Sequence, residues 1–375
     1  MTPRMLTRLL PACLLVAGLS SAVSFGQAPT VSLRGTVTDA ETGDPLPGAH
    51  VFIASSMMGT VTANDGTYEL ERVPIGAIRL YVSMIGFEPE GRDIMLRTTE
   101  TQTFDFAMQP SVIEVGEIVV EAKGDKKWKE RLEKFTTLFI GETPNAHETV
   151  ITNPEVLDFE SKGGEFRAIA AEPLIIENKA LGYRIQYFLK DFVAEPMRTR
   201  YDGEPLFEEM EPSDSEEAAR WEEKRRLSFI GSFRHFMLAL LANKVEEQGF
   251  LTYGRTTMAE SASTGSIPGS PTAGSRFPLN AQEILRPAST PNEKTVDFEG
   301  FVEITFRGEV EDKSYLEWSG RGRHSPKFQT SWISLERGPT LVDYKGDILD
   351  PYGVTFYGYL AFERVADEVP KEYRP

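Results

Sequence analysis

Apolar and polar positions alternate in short runs along residues 31–108. Val31, Leu33, Gly35 and Val37 interleave with Ser32, Arg34, Thr36 and Thr38, the period of a strand with one buried face. Gly43, Asp44, Pro45, Pro47 and Gly48 then crowd into Asp39–Gly48, where Gly and Pro supply the backbone angles of turns. Ala49–Ala54 is an apolar run, Gly59–Ala63 a short strand, and Asn64-Asp65-Gly66 a tight turn. Thr67–Val73 alternates again through Tyr68 and Leu70. Pro74 and Gly76 turn the chain before Ile78–Ile85, and a last strand covers Thr103–Met108. Turns at this spacing are the rhythm of a β-sandwich.

From about Gly124 the period changes. Lys126–Ile140 sets Trp128, Leu132, Phe135, Leu138 and Phe139 at helical spacing, with Lys and Glu opposite. Ser213–Gln248 is the strongest helical stretch. Ser213 or Asp214 is placed to cap it, Glu216 and Glu217 fill its first turn, Gly249 stops it, and Gly231 is positioned to split it in two. Its stripe of Phe233, Phe236, Met237, Leu240 and Leu241 predicts core rather than a lipid-binding face. Ser261–Pro278 is rich in Ser, Thr, Gly and Pro, the composition of a mobile loop. Beyond it Val302, Ile304 and Phe306 alternate with Glu303, Thr305 and Arg307, and Phe328–Leu335 and Val354–Phe362 alternate too. Turn residues separate these runs, so they predict an antiparallel meander with helices laid against it.

Two stretches carry a resemblance. Gly35-Thr-Val-Thr-Asp39 followed by Thr42-Gly43-Asp44-Pro45-Leu46-Pro47-Gly48-Ala49, and later Thr62-Ala-Asn-Asp65-Gly66-Thr-Tyr68-Glu-Leu70, Val73-Pro74-Ile-Gly76 and Val82-Ser83-Met-Ile85-Gly86-Phe87, resemble the carboxypeptidase regulatory-like domain. The resemblance implies a seven-stranded, prealbumin-like (transthyretin-like) sandwich of the kind found at the N-terminus of exported Bacteroidetes-type proteins. In zinc carboxypeptidases this module is an accessory that carries no zinc ligand, and nothing else in the chain resembles their catalytic domain. Ile118-Val-Val-Glu-Ala122 resembles the strand after this module in TonB-linked receptors, although a linker strand closing the sandwich edge is the plainer reading. Stretches such as Asn153-Pro154-Glu-Val-Leu157 and Gly231-Ser-Phe-Arg-His235-Phe236 resemble the region that follows the sandwich in related exported proteins. That second resemblance implies architecture and envelope location, with no biochemical role attached.

The expected architecture is mainly β. A signal peptide spans 1–27, the sandwich 31–110, a linker strand 111–125, and an α+β domain 126–375 with an antiparallel sheet and a flexible loop at about 255–292. Arg4 and Arg8 before the short apolar run Leu9–Leu19, then small residues to Ala28, make the N-terminus read as a cleaved secretory signal. Cys13 is the single cysteine. Leu10-Pro11-Ala12-Cys13 has the outline of a lipobox but follows Arg8 too closely, so lipidation is the weaker reading. Cleavage downstream leaves no thiol, as suits an oxidising compartment. No later segment has the length of a membrane-spanning helix.

Candidate chemistry is sparse. The net charge of −17 repels a phosphate backbone, which excludes nucleic acid as a natural partner. His50, His147, His235 and His324 are scattered, so no metal or cofactor is expected, and His235 reads as a structural histidine. Gly265-Ser-Ile-Pro-Gly269 holds its serine in the wrong place for a nucleophile elbow, and no phosphate-binding glycine loop is present. Aromatics stand out instead. Tyr352, Phe356, Tyr357, Tyr359 and Phe362 lie in the last predicted hairpin, with Trp318 and Trp332 on neighbouring predicted strands. Trp318, Trp332, Tyr357 and Tyr359 are the candidate ligand-binding residues, since aromatic platforms bind sugars or peptides by stacking; cross-strand pairs filling the sheet are the plainer alternative. The function expected is that of a non-enzymatic exported envelope protein, periplasmic, outer-membrane-associated or secreted, that binds, adheres or scaffolds. Its partner would be an envelope protein or a glycan. The alternatives are an envelope hydrolase, peptidase or glycosidase, with an unrecognised site in the second domain, or a TonB-associated accessory protein.

Overall fold

The computed structural model describes residues 29–111, 125–196, 198–255, 276–288 and 293–375. The expected signal peptide, Cys13, Ile118–Ala122 and most of the expected flexible loop lie outside the described residues.

Eight strands build the N-terminal sandwich: β1 (Thr30–Asp39), β2 (His50–Ile53), β3 (Gly59–Val61), β4 (Thr67–Pro74), β5 (Gly76–Ser83), β6 (Glu90–Leu96), β7 (Gln102–Thr103) and β8 (Phe106–Met108). One sheet runs β4-β1 with β7 and β8 both along the far edge of β1, and the other runs β3-β2-β5-β6. Between them Val31, Leu33, Val51, Ile53, Leu70, Val73, Leu80, Val82, Phe106 and Met108 form one buried core. The residues that alternate in the sequence face it.

Two expectations change here. The single strand over Thr103–Met108 is broken at Phe104 and Asp105, because Gly35 lets the chain press in. A Cβ at position 35 would meet the Phe104 carbonyl oxygen at 1.9 Å. That carbonyl accepts from the Tyr68 hydroxyl at 2.7 Å, and Asp105 accepts from the Thr36 amide at 2.8 Å. The seventh strand is therefore delivered in two pieces. Strand β6 is an addition, a polar edge strand paired with β5 from Gly76↔Leu96 to Val82↔Glu90.

The rest of the chain carries two further sheet systems with separate cores. Helix α1 (Lys126–Phe139), capped by the Asp125 carboxylate on the Trp128 amide, precedes β9 (Thr149–Ile151), β10 (Leu157–Lys162), β11 (Glu165–Ala170), β12 (Leu174–Asn178), β13 (Tyr183–Glu195) and β14 (Arg198–Glu209). The long β13 pairs with β14 along one edge and with β12 and β11 along the other. Trp128, Phe135 and Phe139 of α1 pack on Phe159, Phe166, Tyr187 and Phe192.

Helices α2 (Ser215–Phe229) and α3 (Phe233–Leu241) follow, split at Gly231 as the sequence indicated. Asp214 caps α2 by accepting from the amides of Glu216 and Glu217. The third system holds β15 (Phe250–Arg255), β16 (Arg276–Pro278), α4 (Ala281–Ile284), β17 (Leu285–Pro287), β18 (Glu293–Val296), β19 (Phe301–Val310), α5 (Lys313–Trp318), β20 (Phe328–Ser334), β21 (Thr340–Asp343), β22 (Thr355–Gly358) and α6 (Tyr359–Phe362). Its larger sheet runs β16-β15-β19-β20-β22, and its smaller runs β17-β18-β21. The α3 stripe of Phe236, Met237 and Leu240 is core, packed with Phe250, Val302, Ile304, Phe306 and Ile333.

The three systems are locked together at β14 and at the C-terminal segment. Phe188 of β13 stacks on Phe52 of β2 at 4.6 Å between ring centroids, with Tyr81 of β5 closing the cluster. The Phe207 amide donates to the Ser56 carbonyl at 2.8 Å, the Ser55 amide to the Pro205 carbonyl at 2.9 Å, and Arg79 pairs with Glu204 at 3.0 Å. Residues 363–374 then strap the assembly. The Ala366 amide donates to the Ile140 carbonyl, Asn178 donates to the Ala366 carbonyl, and Thr143 and Asn145 donate to the Asp367 carboxylate. The Lys371 amide donates to the Ser55 carbonyl of the sandwich at 2.8 Å. Arg234 at the start of α3 donates to four carbonyl oxygens of this strap, those of Val369, Pro370, Lys371 and Tyr373, at 2.9–3.1 Å.

Arg234→Ala removes a clamp on four carbonyls at once. Hydrogen bonds to a charged group contribute about 1.5–3 kcal/mol each and are not additive, so a loss of roughly 3 kcal/mol is expected. A urea unfolding midpoint indistinguishable from wild type would contradict this account. Arg234→Lys, which keeps the charge but not the fork, should recover less than half of the loss.

The strap also gathers acids. Burial, then the charges of Asp367, Asp347 and Glu204, push Glu368 up to about 8. Burial lifts Asp367 to about 6, against the opposing donors Thr143 and Asn145. A carboxyl whose folded value exceeds its unfolded one favours folding most while protonated, and that advantage fades as pH climbs from about 4.5 through the folded value. Glu368→Gln should therefore raise the thermal midpoint at pH 8.5 and leave it nearly unchanged at about pH 4, below the unfolded value. A shift of equal size at both pH values would show that Glu368 does not titrate in this way.

Candidate functional site

The outer face of the larger third sheet is built by register. Pairing places Tyr253 of β15 opposite Glu303 of β19, Glu303 opposite Trp332 of β20, and Trp332 opposite Tyr357 of β22. These four side chains therefore form one row across the strands, on the face turned away from α3, and Pro278 of β16 continues it past Tyr253. The opposite phase, Val302, Ile304, Phe306 and Ile333, fills the core. Tyr253, Trp332 and Tyr357 are each partly exposed, while Glu303 between them is buried.

The Trp332 ring is held from two sides. Its indole N–H donates to Glu303 Oε2 at 3.1 Å, and the Arg255 Nε donates to that same oxygen at 2.6 Å. Its far edge lies over Gly358, where an added Cβ would come within 2.9 Å of the ring. Gly358 also has φ +73°, a conformation that favours glycine. Tyr357 meets Phe301 edge-on at 5.9 Å. The β13–β14 hairpin borders the face: Arg198 reaches the Thr355 hydroxyl at 3.4 Å and pairs with Glu336.

The four aromatics singled out from the sequence do not form one platform. Trp332 and Tyr357 lie side by side in the row. Trp318 and Tyr359 belong to a second cluster, with Tyr315 and Phe362, reached through α5 and α6. Trp318 was expected on a strand and sits at the end of helix α5, because the Asp312 carboxylate caps the turn by accepting from the Tyr315 amide at 2.7 Å. The alternation through Val354–Phe362 was expected to continue as one strand. It ends at Gly358, and Tyr359–Phe362 coils into α6, which buries Tyr359 and directs its hydroxyl to Asp312 at 2.9 Å. Phe356 turns to the core against Phe233, and Tyr352 donates to Asp191. Glu303 was read only as a polar position of its strand, and Tyr253, Phe301 and Arg255 went unremarked in the sequence; their signal is the same strand phase as Trp332.

A cleft lies where the three systems meet. This cleft of about 310 Å³ is lined by Arg79 and Asp93 of the sandwich, Asp202 and Glu204 of β14, Glu293, Asp343 and Asp347 of the third system, and Lys371 of the strap. Most of its charges are already engaged: Glu204 with Arg79 at 3.0 Å, Asp202 with Lys190 at 3.3 Å, and Asp347 with Lys371 at 3.1 Å. Asp343 accepts from the amides of Lys345 and Asp347. Burial pushes Glu204 up to about 7 in spite of Arg79. Among the described residues no group of three or more His, Cys, Asp or Glu is arranged to hold a metal ion.

His235 is a structural histidine. Its Nδ1 accepts from the Gly231 amide at 3.1 Å, so Nε2 carries the proton facing Gln248, and burial holds the ring below its ordinary pKa. Asp65 accepts from the amide and hydroxyl of Thr67, which makes Asn64-Asp65-Gly66 a turn.

No curated protein matches the chain. Among solved structures it is similar to catechol 1,2-dioxygenase from an Acinetobacter species, at 17% identity over 27% of this chain and 59% of that one, with a TM-score of 0.21. It is also similar to hydroxyquinol 1,2-dioxygenase from Pseudomonas putida, at 8% identity over 23% of this chain and 58% of that one, with a TM-score of 0.19. A third likeness is to a type II cohesin–X–dockerin complex from Acetivibrio cellulolyticus, at 12% identity over 30% and 77%, with a TM-score of 0.20. The chain thus spans about three fifths of the length of the two dioxygenases. Likenesses of this size carry no argument about this chain. The sandwich is another matter: residues 33–120 match the CarboxypepD_reg-like domain family, so this stretch of the chain is a carboxypeptidase regulatory-like domain.

Proposed function

We propose that this chain is an exported, non-enzymatic protein of the cell envelope that binds a partner through the outer face of its third sheet. The carboxypeptidase regulatory-like sandwich serves as a rigid support, seated on β14 and tied down by the strap. One observation carries the reading: Tyr253, Trp332 and Tyr357 stand, each partly exposed, in a single row on the sheet face turned away from the core, with the Trp332 ring fixed by Glu303. Held aromatic rings supply contact area at little cost in conformational entropy, which is why Trp and Tyr dominate binding hot spots. The basic n-region and short apolar run at the N-terminus support export, and the partner is a glycan or an envelope protein.

The hydrolase reading has one observation in its favour, a carboxyl near neutrality in the three-way cleft. A Glu at about 7 is matched to proton transfer at physiological pH. Against it, Glu204 is bonded to Arg79 and Asp202 to Lys190, the pattern of a seam knitted by ion pairs.

Co-sedimentation with an isolated envelope fraction separates the two. Trp332→Ala should weaken retention by roughly tenfold, the size of a moderate aromatic hot spot. Glu204→Gln should leave retention unchanged, and wild type should turn over no chromogenic glycoside or peptide. Turnover that disappears in Glu204→Gln and survives in Trp332→Ala would establish the hydrolase and end the binding proposal.

A further inference from the structure

We infer that the sandwich is held by a latch that opens as a unit, with the C-terminal strap as its moving jaw. Residues 55–57, in the loop between β2 and β3, are the tongue that it grips. The latch is separate from the aromatic face and adds a conformational device to the chain.

The grip is made mostly by main chain. On one side the Ser55 amide donates to the Pro205 carbonyl at 2.9 Å, and the Phe207 amide donates to the Ser56 carbonyl at 2.8 Å. Ser56 thereby pairs with Leu206 of β14 as a one-residue parallel bridge. On the other side the Lys371 amide donates to the Ser55 carbonyl at 2.8 Å, and the Met57 amide donates to Glu372 Oε2 at 3.3 Å. Ser55 is thus held by its N–H from β14 and by its C=O from the strap. It sits at φ +58°, a region costly for a non-glycine residue. Such strain persists only where the surroundings over-determine the backbone.

Among the described residues the rest of the joint is small. Each of the three systems buries its own core, and the apolar contact across the seam is the cluster of Phe52, Tyr81 and Phe188 with Leu206. Toward the third system the sandwich adds a bond of 3.5 Å from Arg79 to the Leu349 carbonyl and the packing of Tyr344 on Gly76. Domains move relative to one another unless their interface is large and hydrophobic. This one is also open to solvent, since the cleft of about 310 Å³ runs along it.

Charge ties the jaw to the tongue. The cleft faces six carboxyl side chains and two cations, Arg79 and Lys371. Burial lifts Glu204 in spite of Arg79, and burial and then the Asp347 charge lift Asp343, so the seam already resists its own negative charge. Burial opposes the Lys371 cation, yet Asp347 and Asp343 raise its pKa above the ordinary value. Lys371 has two roles at once: its amide grips the tongue, and its ammonium neutralises the seam. When the strap leaves, both are lost together. The acids of β14 and the third system then face Asp93 of the sandwich with Arg79 alone between them. Bonds that are lost together open together.

Hydrogen exchange of the full-length protein, resolved to single amides, tests the latch. The amides of Ser55, Phe207 and Lys371 report the joint, and those of β1 and β4 report the sandwich core. The three joint amides should exchange at one common rate, at least roughly tenfold faster than the core, because one sub-global opening exposes them. Lys371→Met keeps the main-chain grip and removes the cation. It should speed all three by roughly tenfold and leave β1 and β4 unchanged. Ser55→Gly relieves the closed-state strain and should slow all three by a few-fold. Wild type and Ser55→Gly decide the matter if Lys371→Met does not fold. Joint amides that exchange no faster than β1 and β4, or a Lys371→Met effect of equal size on both sets, would mean that the seam opens only when the whole chain unfolds, and the inference is overturned. Three unrelated rates would show piecemeal fraying in place of a latch and overturn it as well.

Discussion

One guanidinium organises this molecule. Arg234 is largely withdrawn from water, and burial, helped by the nearby Arg374 charge and opposed by Asp347, pulls its pKa below the ordinary value. A buried cation is costly unless its donors are met, and here the strap supplies four carbonyl oxygens to the two terminal nitrogens. That geometry fixes the path of residues 369–373, and the path decides everything attached to it. Lys371 can then bond Ser55 of the sandwich and reach Asp347 of the third system, and Tyr373 can lie edge-on to Phe229 of α2. A chain with three separate cores thus has one cross-brace anchored at the start of α3.

The brace explains why so many acids lie near the seam. Glu204, Asp343, Glu363, Asp367 and Glu368 all have pKa values raised by burial. A dry apolar seam would bind the parts as firmly, since replacing buried ion pairs by well-packed apolar residues is often neutral or stabilising. What ion pairs add is register. Arg79 meets Glu204 and Lys371 meets Asp347 in only one docking of the parts, whereas apolar surfaces slide. The apolar contribution is small and local, the stack of Phe52, Tyr81 and Phe188.

What the sequence made legible was local. Most of the sandwich strands, the Asp214 cap and the break at Gly231 each follow from neighbours a few residues away, and each is found where the pattern put it. The misses are the places where distant residues decide. Strand β6, Glu-Gly-Arg-Asp-Ile-Met-Leu, shows no alternation because it is an edge strand whose partner β5 does the burying. The strap reads in sequence as a polar tail, Val-Pro-Lys-Glu-Tyr-Arg-Pro, and only Arg234, more than 130 residues earlier, gives it a place. Trp332 and Tyr357 were visible as outward positions of alternating strands. That they stand side by side is a matter of register between β20 and β22, and Tyr359 left the row because Gly358 ends the strand.

The Glu303–Arg255 pair beneath the row is the point on which a binding role and a purely structural one part company. A buried pair of this kind is weak evidence for stability, because desolvating both charges consumes most of their attraction. Threonine or isoleucine in its place would suit a sheet face intended only to be inert. What the pair does is hold one carboxylate oxygen still, and that oxygen holds the Trp332 indole. Gly358 closes the other side by giving up its side chain to make room for the ring. The ring is therefore fixed before anything touches it, its rotamer entropy already spent in folding. A tryptophan placed merely to cover a sheet needs no such support, because any rotamer that excludes water would serve. Preorganisation at a partly exposed aromatic has its effect when a second surface arrives, since the ordering cost that association would otherwise carry is absent.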